Sequence, residues 1–176
     1  KHVNFDGDGH VIKNMTTSGS YAGLFGVLCG VVKNLGVIDA TITGSSYHGI
    51  ITGYLGLQSP SSPAYTGLIE NCYTTGTITT TGIRAGGIVG YIGGKSGTTI
   101  NTIRNCYSTL NINSTSTTLG GIAGASMNAF IIENCYSSGK LKTTGGGYVA
   151  GILAQQRNAD AASELKGCVV RNDSLI

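Results

Sequence analysis

Glu70 and Glu133 stand in matching surroundings, Ile69-Glu70-Asn71-Cys72 and Ile132-Glu133-Asn134-Cys135, and are the pair of acids with the best claim to chemistry. Two carboxylates on one face can hydrolyse a glycosidic bond, one protonating the leaving oxygen and the other activating water. If the two segments are equivalent rungs two steps apart in a stacked β structure, the carboxylates lie about 9–10 Å apart, compatible with an inverting mechanism. Arg104, in the intervening Ile103-Arg104-Asn105-Cys106, would then sit between them. A cation on an open face opposes the raised pKa that a general acid requires. The expectation is therefore a chain that is not an enzyme. No His-Glu-x-x-His occurs. Asp6-Gly7-Asp8-Gly9 has the look of a calcium loop but lacks the later glutamate and spacing, and reads as a tight turn. No metal or cofactor site is expected.

Five cysteines is an odd count. Cys72, Cys106, Cys135 and Cys168 occupy one repeat position, which the first two copies fill with Met15 and Leu35. A column that accepts methionine, leucine or cysteine reads as interior, where a free thiol behaves as a small hydrophobe. Stacked cysteines form a line rather than converging on a point, so a metal centre is not expected. Cys29 stands outside the column. Directly after three of the cysteines come Tyr73, Tyr107 and Tyr136. If the thiols point inward, these rings point outward and form an aromatic strip suited to sugars or protein partners.

The elements that must position these groups follow from the spacing. The motif apolar-x-Asn-apolar recurs with its third residue at 14, 34, 71, 105, 134 and 167, Gly standing for Asn in the last copy. A period near 30 residues is the mark of stacked repeats. A second motif interleaves with it: Ala22–Gly26, His48–Gly53, Gly86–Gly90, Gly120–Gly124 and Ala150–Ala154. Between the two runs a short polar-apolar-polar strand centred on Ile42, Ile78, Ile112 and Leu141, whose period of two turns the central residue inward. Three short strands joined by glycine-rich corners make one coil of a parallel β-helix, and a coil can bury its apolar face only against its neighbours. The fold class is thus all-β: a right-handed parallel β-helix, or solenoid, of about five coils, with residues 1–176 as one domain. Asn14, Asn34, Asn71, Asn105 and Asn134 are expected to stack at a corner, since Asn tolerates the left-handed backbone. The outward positions Lys13, Lys33, Glu70, Arg104, Glu133 and Lys166 alternate in sign from Glu70 onward and form a solvated face of ion pairs. The proline-bearing insert 56–67 breaks the period and is expected to project as a surface loop.

Composition narrows the partners. A net charge of +3 with no basic run gives no nucleic-acid footprint. No apolar stretch approaches the ~20 residues of a membrane span. The chain opens on Lys1 without a leader, which reads as a piece of a longer protein with flanking domains.

The repeats resemble the GLUG-type repeats of bacterial secreted and cell-surface proteins, which run as a Gly-Gly-apolar-apolar-Gly strand, a loop, then apolar-x-Asn-Ser/Cys-Tyr. Gly86–Gly90 followed by Ile103-Arg104-Asn105-Cys106-Tyr107 carries the pattern, as does Gly120–Gly124 followed by Ile132-Glu133-Asn134-Cys135-Tyr136. The pattern departs at Thr52, at Gly167 and in the insert. Repeats of this type occur in adhesin-like proteins and in non-catalytic regions of IgA1-specific metalloproteases. The resemblance implies a right-handed β-helix at the cell surface or outside the cell, without naming a ligand. The resulting expectation is a non-enzymatic, adhesin-like binding module or spacer, with Tyr73, Tyr107 and Tyr136 facing a host glycan or extracellular protein. The alternatives are an accessory region of a secreted protease and a glycan-active β-helix enzyme.

Overall fold

The computed structural model describes residues 2–56, 65–94, 100–115, 118–158 and 162–176. Most of the insert expected to project from the second winding, residues 57–64, lies outside them. Every strand pairing is parallel. No helix among the described residues is long and apolar enough to cross a membrane. The chain is the expected parallel β-solenoid. Strands recur once per winding and pair with their counterparts above and below, giving about five windings and the beginning of another.

Each winding passes through four walls. The first stacks Val3–Asp6, the start of the long strand Gly30–Gly49, the start of Gly67–Thr80, then Asn101–Arg104, Phe130–Glu133 and Glu164–Lys166. The second runs through Thr16–Ala22, the middle of Gly30–Gly49, the rest of Gly67–Thr80, Tyr107–Ser114, Tyr136–Thr143 and Val169–Leu175. The third holds the end of Gly30–Gly49 with Arg84–Gly86, Thr118–Gly120 and Tyr148–Ala150. The fourth is a separate five-stranded sheet of Phe25–Leu28, Thr52–Leu55, Val89–Ile92, Ala123–Ser126 and Leu153–Gln156. The Gly-Gly-apolar-apolar-Gly motif supplies both of the last two walls. It reads in sequence as one strand, yet the backbone bends within it, and the arm ending at Gly86 passes into the arm starting at Val89.

The core consists of files along the axis. Val32, Ile69, Ile103 and Ile132 fill one; Ile42, Ile78, Ile112 and Leu141 fill another in unbroken register; Ile50, Ile88, Ile122 and Ile152 line the bend. Branched side chains suit this stacking because each presents the same shape to the rung above. Leu35, Cys72, Cys106 and Cys135 form the interior file expected of them, with Cys168 half covered at its end, and all five cysteines are free. Each of the four stacked thiols lies within reach of the carbonyl two residues earlier, at 3.1 Å for Cys106 and Arg104 O. Burial pushes the Cys106 thiol well above its ordinary pKa.

The first corner is turned by Asn34, Asn71, Asn105 and Asn134, all at φ between 51 and 54°. Their side chains form a ladder in which each amide nitrogen donates to the carbonyl oxygen below: Asn134 to Asn105 at 3.3 Å, Asn105 to Asn71 at 3.2 Å and Asn71 to Asn34 at 3.0 Å. Asn34 donates in turn to the carboxylate of Asp6 at 3.0 Å. Asn14 does not belong to this ladder, contrary to the sequence motif. Lys13 pairs with Ile38, so Asn14 follows Asp39, and both are left-handed at 57 and 55°. They kink the second wall rather than the corner. The kink is a β-bulge: between Val37 and Ala40 the long strand has one residue more than its neighbour, and Asp39 N donates to Thr75 Oγ1 at 2.9 Å. Met15 accordingly leaves the cysteine file and lies beside Ala40, next to the Thr16–Thr41 pair. In the first winding the corner is instead built by Asp6 and Gly7, beside Lys33 and Asn34.

His48, on the third wall, is fully buried; its Nε2 lies 3.1 Å from Gly19 O and its Nδ1 3.0 Å from Thr80 Oγ1. A carbonyl can only accept, so Nε2 carries the proton; the single proton of the Thr80 hydroxyl lies between Nδ1 and Gly44 O, each 3.0 Å away. Burial lowers the pKa of this imidazole below 6.5. A lowered value in the fold means that the unfolded chain binds the extra proton more readily, so stability rises with pH across this window. His48 contributes fully above about pH 6.5, and its contribution is lost as pH falls from there through the folded-state value. Urea titrations of the native protein should show a midpoint that falls below pH 6.5, and His48→Gln should flatten that dependence. An unchanged slope in the variant would remove His48 as its cause.

Candidate functional site

Tyr73, Tyr107 and Tyr136 are register partners on the second wall, immediately after the cysteine file. The Tyr73 and Tyr107 rings stack with centroids 4.9 Å apart and planes 6° from parallel. A Cβ on Gly36 would overlap the Tyr73 ring, so that ring lies over Gly36 and glycine there makes room for it. Tyr107 is 42% exposed, whereas Tyr73 and Tyr136 are half-buried. Burial and the neighbouring Tyr73 raise the pKa of the Tyr107 phenol, which stays neutral at ordinary pH. The structure thus brings the three tyrosines into one file and joins the first two as a flat aromatic surface.

The first wall carries the charges. Lys33 pairs with Asp6 at 3.1 Å, Arg104 with Glu70 at 2.8 Å and Lys166 with both Glu133 at 3.3 Å and Glu164 at 3.0 Å. The alternation expected from Glu70 onward extends one pair further down, to Asp6. Glu70 and Glu133, the candidates for acid–base work, are each held in an ion pair with a different cation. Hydrogen bonds from the Asp8 amide, Asn34 and Lys33 hold the Asp6 carboxyl below its usual value. Asp6 therefore serves as an acceptor for the corner; Asp8 N donates to its Oδ1 at 3.0 Å, the tight turn expected of Asp6-Gly7-Asp8-Gly9.

A second aromatic group is not visible in the repeat spacing. Tyr21 and Tyr47 face each other across the third wall, and Tyr54 and Tyr91 across the fourth. The bend brings the walls together, so all four rings meet with centroid separations from 5.1 to 6.2 Å. Arg84 lies among them, its guanidinium carbon 4.6 Å from the Tyr91 ring centre and 5.4 Å from that of Tyr47. Burial and the other tyrosines push the Tyr54 phenol up to about 12, with Arg84 acting in the opposite direction. One signal was available in sequence: Tyr54 and Tyr91 each follow the closing glycine of their motif, after Gly53 and Gly90. The partnership with Tyr47 and Arg84 required the bend.

Residues 115–142 match the family model described as the GLUG motif. Over 90 residues, 48% of the chain, the sequence is 37% identical to Halomucin of Haloquadratum walsbyi, of which this stretch is 1%. Among solved structures, a candidate immunoglobulin A1 protease from Bacteroides ovatus matches 99% of the chain with a TM-score of 0.68 and 29% identity, and the chain covers 64% of that protein. The chain therefore spans less than two thirds of the length of either relative. With its solenoid fold, asparagine corner and glycine bend, it carries the GLUG motif and resembles the GLUG-type repeat proteins.

Proposed function

We propose that this chain is a non-catalytic solenoid module of an extracellular or cell-surface protein, and that it presents the second-wall tyrosines to a glycan or extracellular protein in an adhesin-like role. The observation carrying this reading is the Tyr73–Tyr107 stack, with Tyr107 held open to solvent and Tyr136 next in register. A tyrosine gives a flat apolar face with a polar tip at low entropic cost, and a rigid β wall holds such faces at fixed spacing. The test is a glycan array together with a panel of extracellular-matrix proteins, probed with the native chain and with Tyr73→Ala/Tyr107→Ala/Tyr136→Ala. A specific signal that weakens at least about tenfold in the variant is expected, the loss of one aromatic anchor being worth ~1–2 kcal/mol. Equal binding by both proteins would put the contact away from these tyrosines, and no binding by either would leave the module as a spacer.

A second reading draws on the structural likeness to the candidate immunoglobulin A1 protease. In it the solenoid is an accessory region that holds substrate for a catalytic domain elsewhere. Removing the module from such a protease would then raise KM with little change in kcat.

A further inference from the structure

Among the described residues, Arg84 is a cation with no anion. It is only 9% exposed, and its Nε is buried without an acceptor. None of the four ion pairs among the described residues includes it. Of the segments outside the described residues, 57–64, 95–99 and 116–117 contain no Asp or Glu, and 159–161 contains Asp160. The seven acids among the described residues belong elsewhere: Asp6, Glu70, Glu133 and Glu164 to the first wall, Asp8 to its first turn, Asp39 to the bulge, and Asp173 to the last strand of the second wall. A buried charge without a counter-ion is strongly unfavourable, and aromatic faces offset only part of that cost.

We propose that Arg84 and the tyrosines around it form a binding site for the carboxylate of an acidic sugar, a uronate or sialate residue of a glycan. The guanidinium is a planar donor array that matches a carboxylate. Tyr47 and Tyr91, stacked 5.1 Å apart at 17°, hold it from the side and exclude water, which strengthens the pairing. Tyr21, 47% exposed and in contact with both Tyr47 and Tyr54, supplies an open aromatic face on which the C–H side of a sugar ring can lie. Val27, 45% exposed and paired with Tyr54, extends that apolar face. The site is on the third and fourth walls, away from the Tyr73–Tyr136 file, and stands whether or not that file binds.

The test uses the native chain, a galacturonate trisaccharide, its methyl ester and a glutamate-rich peptide. With nine tyrosines and no tryptophan, the intrinsic emission of the protein is that of tyrosine and reports on the site; calorimetry gives the affinity. The acid should bind, the ester at least about tenfold more weakly, and the peptide more weakly still, with the acid also raising the melting temperature. Arg84→Met should lose binding of the acid yet melt no lower than the native chain, since an apolar group in place of an uncompensated buried charge is tolerated. Tyr21→Ala, at an exposed position, should weaken binding severalfold without loss of fold. Failure of the acid to bind, equal binding of acid and ester, or unchanged binding in Arg84→Met would overturn the proposal. Preference for the peptide would overturn it in favour of an acidic protein partner. If Arg84→Met does not fold, the acid–ester comparison and Tyr21→Ala still decide.

Discussion

Gly121→Ala is expected to lower stability by about 3 kcal/mol, the upper part of the range for overpacking. A Cβ at this position would overlap the Ser137 hydroxyl and the carbonyl of Gly151, one winding on. The bend between the third and fourth walls rests at this point directly on the second wall, where the inward residues are the small, buried Ser108 and Ser137. A flexible side chain could move aside, but the backbone of the next winding cannot, because it is fixed by its own ladder: Gly121 N donates to Ala150 O at 3.0 Å. For a chain of this size the loss corresponds to roughly 6–12 °C in melting temperature. Gly26→Ala is the control, since a Cβ there would come no closer than 3.3 Å to Tyr21 O. Thermal melts followed by circular dichroism should separate the two variants clearly, and equal melting temperatures would mean that the bend is not packed as described.

Truncating Ile112 to alanine should cost about 2–5 kcal/mol, the range for deleting a buried branched side chain. Ile112 is fully buried between its register partners Ile78 and Leu141, so the hole opens in the middle of a file. Leu175 stands in the same file, paired with Leu141, but on the last rung and 43% exposed. Leu175→Ala should cost no more than about 1 kcal/mol. In a solenoid each winding touches only its neighbours, so a central defect weakens two interfaces and a terminal defect only one. Denaturant titrations of the two variants measure the difference directly. Comparable losses would contradict a file that is closed in the middle and open at its end.

Much of this architecture was legible in the residues because the repeats state it several times over. The Ile42–Ile78–Ile112–Leu141 file, the cysteine file, the bend isoleucines and four of the asparagines follow from spacing alone, and the structure pairs them as spacing suggests. Asn14 and Met15 misled for a physical reason. Any asparagine in a left-handed turn after a short apolar strand looks the same in sequence, whether it makes a corner or a bulge. The true first corner, at Asp6 and Gly7, was hidden because the first winding replaces the asparagine. The tyrosine file was legible as a direction but not as a stack: only Tyr73 and Tyr107 lie face to face, and the empty space over Gly36 helps to seat them. The Arg84 cluster was legible only in the matching positions of Tyr54 and Tyr91 after Gly53 and Gly90, since its members come from two walls and only the bend brings them together.

The asparagine corner also has an electrical polarity. All of its side-chain dipoles point the same way, each N–H toward the winding nearer the amino terminus, so the thread ends in partial positive charge at that end. Asp6 places a full negative charge there to receive it, much as an acidic residue caps the start of a helix. Aligned amides polarise one another, and each added winding should strengthen those already in line. Lengthening the solenoid from its far end therefore deepens a field that one carboxylate anchors.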